Sequence, residues 1–423
     1  MKRDMQGNMK RNTDTKFEMK LPGHILLLIN ILENAGFHAY VVGGAVRDAF
    51  LGEIPEDYDM TTDARPLQCA ELFSERFRVI ETGLAHGTIT VLVGNFKVEI
   101  TTFRIDGNYK DSRHPEKVEF TGNLALDLAR RDFTVNALAY NPKDGLVDLY
   151  GGIRDINLKT VRCIGEPAAR FDEDALRILR ALRFSAKLDF EIDSNTAEAL
   201  KDKSKLLEKI SAERITAEIS KLFESPFPER LGKILSDFKD VFSLVIPEIE
   251  NSENYDEICL KTPLVPPENN LRMIYFLCAV GYAHTENDRL RFSKVFTKRL
   301  GGISEILGKY GESDEQGSAF CSLFDAKMFV YRYGYELCFD AAGIIKHTSG
   351  SSRLLDCLEE IKLTGACVSL SGLSICGDDI LRYCPGVKPE QIGKKLKECL
   401  VKVMSGELEN SKPKIIDYIN KHT

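Results

Sequence analysis

Up to about residue 165 apolar and polar residues tend to alternate, and beyond residue 172 the apolar ones recur every three or four positions. The first pattern is that of strands with one buried face, and the second is that of helices with one buried stripe. Strands are predicted at 39–42, 58–61, 78–82, 88–93, 97–103 and 118–120. Helical spacing follows in Leu176, Leu179, Leu182 and Ile192, then in Ile210, Ile215, Ile219 and Leu222, with residues 211–215 placed like a capped helix start. Breaks near 225–228, 261–267, 311–317 and 365–371 divide the remainder into further helices. The chain therefore reads as an α+β protein. A disordered basic extension (1–21) precedes a mixed-sheet head (22–163), and a helical neck (164–223), body (224–345) and tail (346–423) follow.

Composition narrows the setting. With 423 residues, 43% of them hydrophobic, the chain has material for more than one core. No run approaches the roughly 20 apolar residues needed to span a bilayer, so membrane insertion is not expected. Eleven cysteines, an odd number with no Cys-x-x-Cys pair, suit free thiols in a reducing cytoplasm and argue against a zinc site. The first twenty residues hold six basic and three acidic side chains without an apolar core, unlike a secretory leader.

The chemistry starts at Gly43 and Gly44. They follow a short buried strand, and a glycine turn there lets backbone N–H groups approach phosphate oxygens. Arg47 follows on the same turn, with a planar fork that can clamp those phosphates. Ten residues later come Asp57 and Asp59, two apart and so on one face if both lie in a strand. Glu99, on the polar side of the 97–103 strand, is a candidate third carboxylate. Hard oxygen donors of this kind suit Mg²⁺ carried in with a nucleoside triphosphate. Two such ions would serve both the attacking 3′-oxygen and the leaving pyrophosphate of a nucleotidyl transfer.

A helix predicted from Asp172 places Asp174 and Arg177 on adjacent turns of one face. The aspartate only accepts hydrogen bonds and the arginine only donates. Cytosine and adenine each offer an amino donor beside a ring acceptor, whereas uracil and guanine offer the inverse. One acceptor beside one donor would thus select C and A, with a discrimination on the order of 1–3 kcal/mol. Glu173, four residues before Arg177, is spaced to hold the guanidinium by an ion pair. Asp132 either reaches a ribose hydroxyl or caps a helix-like run that opens at 130–137.

Six segments occur in the order GGAVRD (43–48), DYD (57–59), EITTFR (99–104), RRDFTVNA (130–137), EDALRILRALRF (173–184) and SAERI (211–215). In these the chain resembles the bacterial CCA-adding enzymes, or tRNA nucleotidyltransferases, whose family also contains bacterial poly(A) polymerases. The resemblance implies a polymerase-beta-type nucleotidyltransferase head with an all-helical neck, body and tail. It implies ATP and CTP as substrates and the 3′ end of tRNA as acceptor. It also implies that Gly44, Arg47 and Arg131 contact the incoming nucleotide and that Arg180 and Arg183 approach it. A flexible loop at 106–117, polar and rich in turn formers, is associated in this family with the switch from adding C to adding A.

Net charge is −7, so RNA affinity has to come from a local basic surface. From 388 to 402 five lysines face two glutamates. Lys388, Lys394, Lys395 and Lys397 are the candidate RNA contacts, in a tail that the resemblance associates with the tRNA elbow. Poly(A) polymerase, or an A-adding enzyme with a separate CC-adding partner, stands as the alternative. A small-molecule nucleotidyltransferase would not need the 130–137 segment, and a non-catalytic tRNA-binding module would not need intact carboxylates. The sequence leaves open whether two copies pair as a homodimer.

Overall fold

The computed structural model describes residues 17–106, 118–284, 289–311 and 322–422. Residues 1–16 of the N-terminal extension and 107–117 of the polar loop lie outside the described residues. The chain divides into two compact units, Met1–Val245 and Ile246–Thr423.

The first unit begins, after a short coil, with α1 (Gly23–Asn34). Phe17 and Met19 belong to the stretch read as disordered, yet Met19 is buried and the Phe17 ring lies 5.5 Å from that of Phe50. Two apolar side chains anchor the end of the extension to the head.

The head is built on β1 (Ala39–Val42), β2 (Asp59–Thr62), β3 (Arg78–Gly83), β4 (Thr88–Val93) and β5 (Phe96–Thr102), with β8 (Leu138–Asn141) and β9 (Gly145–Asp148). Between these, β6 (Arg104–Asp106) and β7 (Val118–Phe120) form a separate ribbon. The seven-stranded sheet has the order β3-β4-β5-β2-β1-β8-β9. Neighbours are antiparallel except β2 and β5, which run parallel with Met60 opposite Ile100. Asp59 and Glu99 thus immediately precede this first pair on two adjacent strands.

Around the sheet lie α2 (Gly44–Phe50), α3 (Pro66–Ser74), α4 (Leu124–Ala129) and α5 (Gly152–Asn157). The short α4 buries Leu124 and Leu128 in a cluster with Tyr40, Val42, Phe103, Ala137, Ala139 and Ile164, which holds its Asp127 against the sheet. The segment read as a helix start at 130–137 is instead one 3-10 turn, Thr134–Asn136, leading into β8. All four residues of β8 are buried, so alternation is lost and periodicity cannot separate such a run from a helix.

The neck carries β10 (Thr160–Val161) paired in parallel with β11 (Glu191–Ile192), and α6 (Pro167–Glu173), α7 (Leu176–Leu188), α8 (Ser194–Lys203) and α9 (Ala212–Phe223). Leu176, Leu179 and Leu182 of α7 are buried, as are Ile215, Ile219 and Leu222 of α9, and the two helices pack along each other. α10 (Pro228–Asp237) and α11 (Lys239–Ser243) close the first unit, although spacing alone puts them in the body.

The second unit is helical: α12 (Tyr255–Lys261), α13 (Leu271–Ala279), α14 (Lys294–Gly311), α15 (Leu323–Tyr333), α16 (Tyr335–Ser349), α17 (Arg353–Thr364), α18 (Gly377–Tyr383), α19 (Ile392–Ser405) and α20 (Lys412–Lys421). Its C-terminal part is organised around Ile375, Ile380, Leu400, Met404, Ile415 and Ile419. No helix among the described residues is long and apolar enough to cross a membrane.

Candidate active site

A polar cleft of about 460 Å³ opens where β1, β2 and the 130–136 segment meet α7. Its lining includes Gly43, Gly44, Asn136 and Phe184. Six arginines, Arg47, Arg104, Arg130, Arg131, Arg177 and Arg180, face three aspartates, Asp59, Asp132 and Asp174. A cleft with that excess of positive charge attracts a polyanion.

The glycine turn is tight. Gly43 has φ +72°, a conformation that side chains disfavour, and a Cβ there would sit 3.1 Å from Arg131 Nη1. Its own N–H is not offered to the cleft as the sequence suggested, because it donates to Leu138 O at 3.0 Å. That bond fastens the turn to β8. The first helical bond of α2 runs from the Arg47 N–H to Gly43 O, leaving the amides of Gly44, Ala45 and Val46 ahead of the helical ladder.

Arg47 is buried at 2% exposure, donating from Nη1 to Asn136 Oδ1 at 2.5 Å and from Nε to Asp48 at 2.8 Å. Its guanidinium also lies 5.5 Å from the centre of the Phe184 ring. Arg180 and Arg183 approach the same ring at 5.3 and 4.3 Å, so one aromatic side chain supports three guanidiniums.

The acidic group differs from the expected strand pair. β2 begins at Asp59, so the exposed Asp57 precedes the strand and the pair does not share a strand face. Burial, then the charge of Glu99, raise the Asp59 pKa above the ordinary carboxylate value; Asp57 adds to this and Arg131 opposes it. Among the described residues no three acidic, histidine or cysteine side chains converge as a metal cage. The protein thus offers a few mutually repelling oxygen donors. That donor set fits Mg²⁺, which usually takes one or two carboxylates and completes its shell with water and substrate phosphate.

Asp127 is the residue that sequence reasoning missed most plainly. Its side chain is fully buried and accepts from Arg130 Nε at 2.9 Å, from Arg131 Nη2 at 3.5 Å and from the Arg104 N–H at 3.4 Å. The Thr61 hydroxyl, two residues past Asp59, lies 3.3 Å from the same carboxylate. One buried charge therefore ties the acidic strand to three cleft arginines. Burial lowers the Arg131 pKa, and Asp127 acts first to restore it.

Asp132 also faces inward rather than capping a helix. Its Oδ1 accepts from the Phe133 N–H at 2.8 Å and Asn136 Nδ2 at 3.1 Å, and its Oδ2 accepts from Arg180 Nε and Nη2 at 2.9 and 2.6 Å. Burial pushes its pKa up, but the Arg180 charge and these hydrogen bonds overcome it and hold the carboxyl down at about 2.

The helix expected from Asp172 is broken. α6 ends at Glu173, and Asp174 has extended backbone (φ −143°, ψ 102°) before α7 begins. Its Oδ1 accepts from the Leu176 N–H at 3.1 Å, in the manner of a helix cap, and its Oδ2 accepts from Arg214 Nη2 at 2.8 Å. Arg177 is buried in the first turn of α7, donating to Glu173 at 2.6 Å, to Arg170 O at 2.9 Å and to Arg130 O at 3.1 Å. The four-residue spacing of Glu173 and Arg177 does form an ion pair. Arg183 is not among the cleft-lining residues: it turns to the buried Glu218 of α9 at 2.7 Å.

In the second unit Lys388, Lys394 and Lys397 are exposed, with Lys394 and Lys397 on α19. Lys395 is drawn back, donating to His422 O at 3.0 Å and lying 3.4 Å from Glu398.

Residues 39–162 match the Poly A polymerase head domain family, and residues 189–252 match the family described as the probable RNA and SrmB-binding site of polymerase A. Over 401 residues, 92% of this chain and 95% of the relative, the sequence is 33% identical to a CCA-adding enzyme of Lactobacillus delbrueckii subsp. bulgaricus. The chain belongs to the CCA-adding enzyme family. A CCA-adding enzyme of Lactobacillus helveticus is 46% identical over 210 residues, a stretch spanning 50% of this chain and 52% of that one. The fold is similar to the crystal structure of Bacillus stearothermophilus CCA-adding enzyme in complex with CTP. That match has a TM-score of 0.75 and 25% identity, and covers 94% of this chain and 96% of the other. Membership of this family also brings dependence on a divalent metal.

Proposed function

We infer that this cleft adds C, C and A to the 3′ end of tRNA from CTP and ATP without a nucleic-acid template. The observation that carries the reading is the meeting of Asp59 and six arginines in one cleft at a glycine turn. The tRNA 3′-hydroxyl attacks the α-phosphorus of the nucleotide, a P–O bond forms, the α–β P–O bond breaks and pyrophosphate leaves. The hydroxyl proton passes to solvent.

Asp57 and Asp59, with Glu99 beside them, are the residues to hold Mg²⁺. That ion, when bound, supplies charge stabilisation to the attacking and leaving oxygens. Gly44, Arg47 and Arg131 grip the triphosphate, with Asp132 and Arg180 at the same wall. Arg131 is desolvated and only partly compensated by Asp127, so an incoming polyanion stabilises its charge. Asp174 and Arg177 read the base, one as acceptor and the other as donor. Support comes from their anchoring: both line the cleft, and each is held by charged or backbone partners. Lys388, Lys394 and Lys397 are the tail's contacts to RNA phosphate.

The test uses purified protein and tRNA lacking its 3′ end. Fixed incorporation of C, C and then A is expected. Long A tails made without CTP would instead identify a poly(A) polymerase. Exchanging Asp174 and Arg177 for residues of inverted donor and acceptor character should admit UTP, and an unchanged preference refutes the base reading.

A further inference from the structure

We propose that the open face of β3, β4 and β5 is the track for the acceptor strand, with Lys97 receiving the phosphate that precedes the reacting 3′-hydroxyl. The inference rests on the reading of this cleft as one that extends a tRNA 3′ end. Register places the residues. Across the antiparallel β4–β5 pair Lys97 lies opposite Leu92 and Glu99 opposite Thr90, and on β3 Arg78 is opposite Leu92 and Ile80 opposite Thr90. Directly opposed residues share a face, so Arg78, Leu92 and Lys97 form one row and Ile80, Thr90 and Glu99 the next. The parallel pairing of Met60 with Ile100 brings Asp59 to the end of the second row. The other face carries Val91, Val98 and Ile100, all buried. On this one Arg78, Lys97 and Glu99 are exposed and Ile80, Thr90 and Leu92 half-buried, so the rows are open to solvent.

An in-line displacement puts the attacking and leaving oxygens on opposite sides of the phosphorus. The glycine turn and Arg47 follow β1, on one side of β2, and hold the leaving pyrophosphate there. The attacking hydroxyl therefore arrives from the other side, over β5, where Glu99 stands beside Asp59. Neither Glu99 nor Lys97 lines the cleft that takes the nucleotide. Lys97 is two residues from Glu99, roughly 7 Å along the strand, which suits the phosphate one step back from a terminal hydroxyl. Among the described residues neither Lys97 nor Arg78 forms an ion pair, so RNA phosphate displaces no protein carboxylate from them. Arg78, about 10 Å away across two strand spacings, adds to the attraction. Leu92 lies between the two cations and offers apolar contact to the sugar. Contacts of this kind read no base, as an acceptor site must not when the terminal nucleotide changes with each addition.

The test measures steady-state CTP incorporation by the full-length protein on tRNA lacking its 3′ end, for the parent, Lys97→Ala and Lys97→Glu, over a range of salt concentrations. Lys97 is exposed, so its replacement leaves the core intact. Lys97→Ala is expected to raise KM for tRNA about three- to fivefold at low salt, with KM for CTP unchanged. It should also flatten the dependence of log kcat/KM on log salt by about 0.7, the share of one single-strand phosphate. Lys97→Glu should raise KM for tRNA further. A second acceptor fixes which phosphate is held: with a neutral methylphosphonate as its 3′-terminal linkage, the parent should lose the same factor and Lys97→Ala nothing more. Parental KM for tRNA and a parental salt slope in both variants would overturn the track. A raised KM for CTP with tRNA unaffected would assign Lys97 to the nucleotide and overturn it equally. Additive losses with the methylphosphonate would overturn the assignment of Lys97 to the preceding phosphate. Failure of the parent itself to add C to this acceptor would instead sink the reading on which the proposal rests.

Discussion

Replacing Asp132 by Asn separates the charge of that carboxylate from its shape. The folded state holds the group at about 2, against an ordinary value of 3.8. At about 1.4 kcal/mol per pK unit, the difference contributes about 2 kcal/mol of stability at neutral pH. The direction is that of a depressed acid. The contribution is complete above the ordinary carboxylate value and disappears as pH falls through about 2, where the folded-state group protonates. Asp132 is 8% exposed, so solvent screening removes little of this, and its bidentate contact with Arg180 is the main source. Urea unfolding at pH 7, 4, 3 and 2 should find Asp132→Asn less stable than the parent by about 2 kcal/mol at pH 7, with the gap closing between about pH 4 and pH 2. A gap that stays constant with pH would refute the electrostatic account and assign the loss to packing. No gap at neutral pH would mean that the Arg180 contact stabilises nothing.

Three other outcomes are expected. Asp59 has a raised pKa, so its ionisation costs stability as pH rises above the ordinary carboxylate value; Asp59→Asn should therefore raise the melting temperature of metal-free protein at pH 7 while abolishing nucleotide incorporation. A lowered melting temperature would contradict the repulsion ascribed to Glu99 and Asp57. Gly43→Ala should destabilise the protein by about 1–3 kcal/mol through its positive φ and raise KM for CTP and ATP through the close approach to Arg131, as thermal melts and steady-state kinetics would test; parental values in both would remove the turn from the account. Asp127→Asn leaves the Arg130 and Arg131 charges without their shared buried partner. It should cost about 3–5 kcal/mol in urea unfolding and raise KM for both nucleotides by a similar factor, and a loss confined to one nucleotide would contradict a grip on phosphate.

Much of the head was legible because one face of most strands is buried and the other is not. The 39–42 and 88–93 strands were located to the residue, and 58–61, 78–82 and 97–103 fell within one residue at each end. β8, buried on both faces like β1, escaped because it also continues directly from the 130–137 segment read as a helix start, with no alternation to separate the two. The glycine turn was readable because φ > 0 demands a particular residue type, whereas the strand face expected to be shared by Asp57 and Asp59 is not formed, since β2 begins at Asp59. Asp127 was not readable, since its significance lies in Thr61, 66 positions away, and in arginines that look like an ordinary basic pair. Asn136 likewise acquires its role from Arg47, 89 positions earlier. The break at Asp174 did leave a trace: an aspartate just ahead of an apolar helical run is a capping residue, and that signal outweighs the lack of Gly or Pro.

The place of β2 in the sheet has a consequence for how this head tolerates change. It is the fourth of seven strands, with three strands on either side, and it is paired with β1 on one flank and β5 on the other. The sheet's open margins fall instead on β3 and β9, far from the acidic residue at the start of β2. Sequence drift and insertions at those margins must cross two intact strands before they disturb the position of Asp59. The periphery of the head is therefore free to diversify while the start of β2 stays in register.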